Sequence, residues 1–338
     1  MSQPNQMEGS SPTIWTVAGR AGVSHMTVAR FLRGDRVRPE NHEKIERAIA
    51  ELGYRFNDTA SELASRQPSR IGALVFEVDD WAPQRLLAGA AEAARETGHI
   101  LEMIRADVRD PASFDTALLM MNRASLAGVV ILSPPDPVLK RMDLGSLQTP
   151  WMIEVEPHIP EGHPQALQHP ISQAVEHLAR LGHERFFFLG GPSEWASGRN
   201  RETAYRATVA SLGLENCGVT RGPWGAQNGY QSMQSFPHDL RPTALVAASD
   251  QIALGAMAWM HEREISIPGS VSITGYDGLR DAAFYSPPLT TVSIDFEAMG
   301  RRAVQALLAG EGVGSGPSLD QYPFDGELVP RASTASPA

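Results

Sequence analysis

From Arg70 onward, short apolar runs alternate with stretches of helical periodicity, and this alternation restricts the possible folds more than any other feature of the chain. The runs "IGALVFEV", "ILEMIRA", "GVVILS", "WMIEVE", "RFFFLGG", "ALVAAS" and "VSITGYD" read as strands. Between or after them, "PQRLLAGAAEAARETG", "ASFDTALLMMNRA", "ISQAVEHLARLG", "RETAYRATVASLG", "QIALGAMAWMHERE" and "FEAMGRRAVQALLAG" read as helices. Such alternation implies βαβ units, that is, parallel sheets covered by helices on both faces. It runs through too many strands for one typical sheet, so two α/β subdomains with a cleft between them are expected. Ligands in such sheets bind beyond the carboxyl ends of the strands.

The front of the chain follows a different rule. In "TVAGRAGVSHMTVARFLRGDRVR", five arginines (Arg20, Arg30, Arg33, Arg36, Arg38) stand against one acid, Asp35. Ile14, Val17, Ala18 and Ala21 mark one face of a short helix, with Thr13 as its N-cap. Gly22 ends it and lets the chain turn sharply. Ser24 caps a second helix that buries Val28, Phe31 and Leu32, and "PENHEKIERAIAEL" supplies a third. This is a helix-turn-helix with His25, Met26, Ala29, Arg30 and Arg33 facing outward. On the helical pattern alone, a three-helix bundle that binds no DNA is an equal reading. "NDTASELASRQPSR" follows as a polar linker of marginal helical propensity.

Charge supports a division of labour. The formal net charge of the 338-residue chain is -10, yet residues 1–67 carry +1 and the remainder -11. A small basic module can face a polyanion while an acidic body does something else. Cys217 is the single cysteine, so no internal disulfide forms. No run approaches the roughly 18 apolar residues of a membrane span, and "MSQPNQMEGSSPT" has neither a basic nor an apolar leader region. A cytoplasmic protein with no membrane partner is expected.

The segment "VAGRAGVSHMTVARFLRG" resembles the N-terminal signature of the LacI/GalR family of bacterial transcription regulators. The likeness continues in order through "LGYRFNDTASELA", "HLARLGHERFFFLGGP", "SGRNRETAY", "GPWGAQNGYQ", "ALVAASDQIALGAM", "SITGYDG" and "PPLTTVSIDFEAMGRRAVQALL", from about Thr13 to Ser333. It implies an all-α helix-turn-helix headpiece, a hinge helix, and a core similar to periplasmic sugar-binding proteins: two doubly wound parallel-sheet subdomains. The boundaries expected are a disordered N-terminus at 1–12, the headpiece at 13–56, the hinge helix and linker at 57–68 and the effector-binding core at 69–333. Within the core, the N-subdomain spans about 69–167 and 296–323 and the C-subdomain about 168–295 and 324–333; 334–338 is a tail.

The resemblance also assigns roles. His25 and Met26 fall where the family chooses its DNA sequence, Met26 offering only an apolar contact, most plausibly to a thymine methyl; Arg30 falls on a base-contacting arginine that could pair with guanine. Thr13, Ser24, Thr27, Arg38 and Tyr54 are better placed for phosphates, while Thr13 and Ser24 can equally be simple helix caps. Leu63 matches the hinge leucine that wedges into the minor groove, with Asn57 and Ala60 beside it. Asp58 and Glu62 depart from the pattern and weaken that contact. In the cleft, Arg201 and Asp277 match residues that bind sugar hydroxyls, and Trp224 matches an aromatic that stacks on a sugar face. Without the resemblance, Arg201 reads as a surface ion-pair residue, Asp277 as a turn residue and Trp224 as core. Asp80, Ala82, Pro83, Leu86, Ser197, Ser249 and Phe296 match further cleft positions.

Other departures bear on the effector. Ser249 and Ile294 stand where a close member of the family carries asparagine and glutamine, and Val155 where it carries an acid. Glu154 or Glu156 could supply that carboxylate from a shifted strand. The "SGRNR" and "GPWGAQNGYQ" blocks favour a saccharide inducer of the galactoside kind, and these departures imply a changed pose; a purine corepressor is the alternative. A transport-associated sugar-binding protein leaves the headpiece unexplained. A sugar enzyme needs an acid-base or phosphate-binding set, and none is legible, so neither catalysis nor a cofactor is expected. His158, His163 and His169 match no metal-ligand spacing. Nothing after Val329 has heptad spacing, so a homodimer on double-stranded operator DNA is expected.

Overall fold

The computed structural model describes residues 12–32, 36–54, 68–76, 81–123, 125–235 and 241–337. It divides into two compact units, residues 1–67 and 68–338.

In the first unit, α1 (Ile14–Ala21), α2 (His25–Leu32) and α3 (Pro39–Leu52) enclose Val17, Ala18, Ala21, Val28, Ile45 and Ala48. Each boundary has a local cause. Thr13 and Thr16 form a reciprocal cap at the start of α1, their hydroxyls 3.0 Å apart. Gly22 ends α1 at φ 67°, a left-handed conformation that glycine adopts without steric cost. Ser24 Oγ accepts from the Thr27 amide at 3.2 Å. Pro39 opens α3 at its first position.

The second unit contains two four-stranded parallel sheets. One has the order β2 (Ile100–Arg105), β1 (Arg70–Val75), β3 (Gly128–Leu132), β4 (Trp151–Glu154). The other has the order β6 (Glu215–Thr220), β5 (Arg185–Leu189), β7 (Ala244–Ala247), β8 (Ser272–Thr274). Central strands such as "GVVIL" and "ALVA" are buried on both faces, as parallel sheets covered by helices require. Helices α4 (Trp81–Glu96), α5 (Pro111–Arg123) and α6 (Asp136–Arg141) belong to the first sheet. Helices α7 (Ile171–Arg180), α8 (Ala196–Ser211), α9 (Ala226–Gln234) and α10 (Asp250–His261) belong to the second.

The chain then crosses back. After β9 (Thr291–Ser293), α11 (Phe296–Ala309) joins the first sheet's core, where Phe296, Ala303, Val304 and Leu307 lie against Ile71, Leu86 and Ala90. The backbones of α4 and α11 meet so closely that a side chain at Gly300 would strike the Leu86 carbonyl. β10 (Glu327–Val329) returns to pair antiparallel with β9. Each half is thus built from non-contiguous chain, and Trp81 and Ile294 pack against both cores.

Several elements differ from the sequence reading. The helix expected from Arg201 begins earlier, at Ala196. β6, α9, α6 and the β9–β10 pair are additional. β6 is polar because it is an edge strand, and α9 carries Gly229 in its interior, where the backbone of α10 comes too close for a side chain. Among the described residues, no helix is long and apolar enough to cross a membrane.

Candidate functional site

Two places carry functional chemistry, one in each unit. On the headpiece, α2 presents Met26 at 62% exposure, with Arg30 and Arg38 also exposed and His25 half-buried. His25 is held against Trp15, ring centroids 3.9 Å apart. Trp15 is itself exposed, an apolar ring beside the outward face of α2. Arg30 Nη2 donates to the Arg36 carbonyl at 2.8 Å. Thr13 and Ser24 act as caps and keep exposed hydroxyls; Thr27 and Tyr54 are half-buried. Asn57, Ala60 and Leu63 lie outside the described residues, as do Arg33, Asp58 and Glu62.

In the second unit, a cavity opens between the two sheets beyond their strand ends. Ala82 and Pro83 from α4, Ser197 and Arg201 from α8, Trp224, Ser249 and Asp277 line it. The fold brings these seven expected residues together from five segments. Phe76, Trp81, Ser133, Trp195 and Gln251 line it as well and were not singled out by sequence reasoning. Trp81 and Trp195 carried the only available signal, as tryptophans within two residues of Ala82 and Ser197. Leu86 and Phe296 sit instead in the apolar core behind the cavity, 3% and 6% exposed. Asp80 lies outside the described residues.

Arg201 is the centre of the arrangement. Only 4% of it is exposed. Its Nη1 donates to the Ala248 carbonyl at 2.5 Å and stands 3.2 Å from Asp277 Oδ1. The guanidinium lies 4.1 Å from the Tyr276 ring centre and 5.1 Å from that of Trp224. Among the described residues its Nε finds no hydrogen-bond partner. A buried donor left without an acceptor costs about 1–3 kcal/mol, which a ligand oxygen can recover.

The turn that carries Asp277 is held in place. Asp277 has φ 104°, a conformation rare outside glycine, and Gly278 follows at φ 73°. The Asp277 amide donates to the Val292 carbonyl at 2.9 Å, fixing the turn to β9. Behind it, burial pushes the Asp250 carboxyl up to about 7, helped by the nearby Asp277; Thr291 and the Leu279 amide donate to it. Ser249 Oγ caps α10 by accepting from the Ile252 amide at 3.1 Å. Trp224 lies over Gly191, where a Cβ would collide with its ring.

Neither candidate acid near β4 is among the residues lining the cavity. Glu156 accepts from Asn200 Nδ2 at 3.2 Å and lies 3.6 Å from His169 Nε2. Burial raises its pKa, but the His169 imidazole beside it, the charge of Arg201 and the Asn200 bond outweigh this and hold it below the ordinary value. Glu154 accepts from the Tyr322 hydroxyl at 3.1 Å, and burial pushes it up to about 7. His163 Nδ1 accepts from the Gln165 amide, and no group of three acidic, histidine or cysteine side chains suited to a metal occurs among the described residues.

The arrangement can hold a small hydroxyl-bearing molecule: one charged fork, one carboxylate and aromatic faces set between two lobes. Comparison with known proteins covers both units. Residues 13–57 match the family model described as bacterial regulatory proteins, lacI family. Residues 175–334 match the periplasmic binding protein-like domain. The lactose operon repressor of Escherichia coli (strain K12) is 30% identical over 307 residues, 88% of this chain and 84% of that one. The ribose operon repressor of the same strain is 27% identical over 305 residues, 88% and 92% of the two chains. A crystal structure of the lac repressor dimer bound to operator and the anti-inducer ONPF superposes with a TM-score of 0.80 at 28% identity, covering 96% of this chain and all of that one. With a helix-turn-helix in its N-terminal unit, a two-lobed cleft in the other, and 30% identity to the lactose operon repressor over 88% of its length, the chain belongs to the lacI family of bacterial regulatory proteins.

Proposed function

We propose that the chain is a ligand-controlled repressor: a homodimer that binds a pseudo-palindromic operator and is released by a saccharide in the cleft. The observation that carries the effector half is Arg201, buried beside Asp277 and Trp224, its Nε without a hydrogen-bond partner among the described residues. A guanidinium and a carboxylate 3.2 Å apart suit neighbouring hydroxyls, one accepting and one donating, and a tryptophan face suits the C–H face of a sugar ring. Ala82, Pro83 and Ser197 close around the ligand, and Ser249 offers only the oxygen that already caps α10. Leu86 and Phe296 support the cavity from behind.

For DNA, Met26 and His25 read base edges, and Arg30 does so once it leaves the Arg36 carbonyl. Thr13, Ser24, Thr27, Arg38 and Tyr54 hold phosphates, and Leu63, with Asn57 and Ala60, engages the minor groove. Residues 13–56, 57–68 and 69–333 act as headpiece, hinge and core. Similarity to an operon repressor and to a repressor dimer bound to its operator supports this reading. So do the apolar Ile100 and Met103 on the open edge strand β2 and the fully projecting Phe284, which a partner subunit would cover.

A thermal-shift screen of sugars and purines, followed by operator release in a gel-shift assay, tests the proposal. A ligand that binds only the folded state raises the melting temperature. A sugar that stabilises the protein and releases DNA supports it. A purine that stabilises the protein and strengthens DNA binding replaces inducer by corepressor.

A further inference from the structure

Arg201 feels the charge of two carboxylates, and only one of them lines the cavity. Asp277 is the lining one, 3.2 Å from Nη1. Glu156 belongs to the crossover that leaves β4 for the second lobe. It is not among the lining residues, yet its charge and that of Arg201 favour each other. A buried guanidinium with a single carboxylate forms a closed pair that a ligand must open. With a second carboxylate outside the cavity, the group carries a surplus negative charge. Asp277 can then accept from a ligand hydroxyl while the guanidinium stays balanced.

Glu156 is fixed in its position. Asn200 precedes Arg201 on α8 and is fully buried. Its Nδ2 donates to Glu156 Oε2 at 3.2 Å and to the Pro157 carbonyl at 2.9 Å, and its Oδ1 accepts from the Ile159 amide at 2.9 Å. These bonds use both of its donors and tie the crossover to α8 next to Arg201. Consecutive helix residues point about 100° apart, so α8 turns Asn200 to the crossover and Arg201 to the cavity. His169 Nδ1 accepts from the Ile171 amide at 3.2 Å, so Nε2 carries the hydrogen that faces Glu156 at 3.6 Å. Only 13% of the Glu156 side chain reaches solvent, and water screens its charge little.

We infer that Glu156 is a positioning residue for effector binding: it touches no ligand, and acts by balancing Arg201 from outside the cavity so that Asp277 and the guanidinium serve the ligand together. This rests on the reading of Arg201 as the effector-binding cation. It also puts the balancing charge on a segment between the lobes, so a rearrangement of that crossover reaches Arg201 through a single neighbour.

The test sets charge against shape. Glu156→Gln keeps the length of the side chain and an acceptor for Asn200 but removes the charge; Glu156→Asp keeps the charge on a shorter arm. The full-length protein and both variants are titrated by calorimetry with galactose, methyl β-galactoside, glucose, ribose, hypoxanthine and guanine. For the probe that binds, Glu156→Gln should weaken affinity about tenfold and Glu156→Asp less than about threefold. A side chain that only fills space gives the reverse order. Wild-type affinity in Glu156→Gln, or the greater loss in Glu156→Asp, would overturn the inference. A second measurement needs no ligand: the melting temperature with Arg201 in place and in an Arg201→Met background. Glu156→Gln should lower it where the cation is present and raise it where the cation is gone, because Glu156 is then a buried charge without its partner. A shift of the same sign in both backgrounds means that the two charges are not paired, and the inference fails. If no probe binds and the sign still reverses, the effector reading of the cavity falls and takes the positioning role with it, while the pairing of Glu156 with Arg201 stands.

Discussion

Glu154 shows how one buried side chain sets a pH dependence. Burial raises its carboxyl to about 7 from an ordinary value of 4.5, and the Tyr322 bond and the charge of Arg302 only partly oppose this. Below about pH 4.5 both the folded and the unfolded chain keep the proton. Between there and pH 7 only the folded chain does, so this group's contribution to stability falls as pH rises through that window, then levels off. Asp250, raised from 3.8 to about 7, adds in the same direction. Glu156 and Glu202, both held low, work the opposite way and lose their contribution as pH falls. Glu154→Gln keeps an acceptor for Tyr322 and removes the charge. It should stabilise the protein by ~2 kcal/mol at pH 8 and by well under ~1 kcal/mol at pH 5. Urea unfolding at the two pH values measures this, and a gain independent of pH would show that Glu154 ionises freely. At the headpiece, Met26→Gln should change the operator preferred, because the exposed side chain stands on the outward face of α2. Arg38→Ala should weaken all operators alike by about tenfold and lower the salt slope by about one. A binding selection that returned one consensus for wild type and Met26→Gln would remove the base-reading role.

At the scale of elements, the two lobes are fastened across the cleft by α6 and α8. Arg199 on α8 reaches Asp136 at the start of α6, Nη1 to Oδ2 at 3.0 Å and Nη2 to Oδ1 at 3.1 Å. The Asp136 amide also donates to the Glu194 carbonyl at 2.8 Å. A half-buried bidentate pair of this kind is worth roughly 1 kcal/mol. Asp136→Ala removes the ion pair but leaves the backbone bond, so it should loosen the hold of one lobe on the other without unfolding either. Effector affinity, read by calorimetry, should fall by about three- to tenfold; an unchanged affinity would mean that the pair does not hold the lobes together. Nothing in the sequence announces this contact, because its partners lie 63 residues apart and meet only through the fold. The same holds for Tyr322 and Glu154, which are 168 residues apart. What was legible had a local cause. Gly22, Thr13 and Pro39 punctuate the headpiece, and the doubly buried strands of both sheets appear as uninterrupted apolar runs. β6 was not legible because an edge strand exposes "ENCGVT" and needs no apolar pattern. In the cleft, Arg201, Trp224 and Asp277 were found through family likeness, since each alone reads as an ion pair, a core residue or a turn. Trp195 was not found because it falls in the gap between two of the motifs that carry that likeness, "HLARLGHERFFFLGGP" and "SGRNRETAY".

For the whole molecule, the question is how a ligand in the cleft reaches the DNA. The cavity takes Phe76, Ala82, Pro83 and Ser133 from one lobe and Ser197, Arg201, Trp224 and Asp277 from the other, so a bound ligand favours one relative placement of the lobes. Residues 57–68 precede the first lobe's opening strand in the chain, so under the proposed function a ligand-driven change in that lobe is expected to bear on them. In the proposed dimer both copies of this segment are expected at the operator, and a helix of so few residues is marginal without a partner. The ligand can shift this equilibrium only by its differential affinity for the two states, commonly about 1–3 kcal/mol, or a five- to 150-fold change in operator affinity. Two substitutions separate the ends of this linkage. Arg201→Ala removes the cation facing Asp277 and should abolish the effector response while operator affinity stays near the wild-type value. Leu63→Ala should do the reverse, leaving effector binding intact and lowering specific operator affinity by about tenfold or more. Paired titrations of each variant with operator and with the sugar found in the screen measure both arms, alongside sedimentation to establish the dimer. Should Arg201→Ala still release DNA at the wild-type effector concentration, the ligand binds elsewhere; should Leu63→Ala lose effector binding as well, the hinge and the cleft form one structural unit rather than two coupled sites.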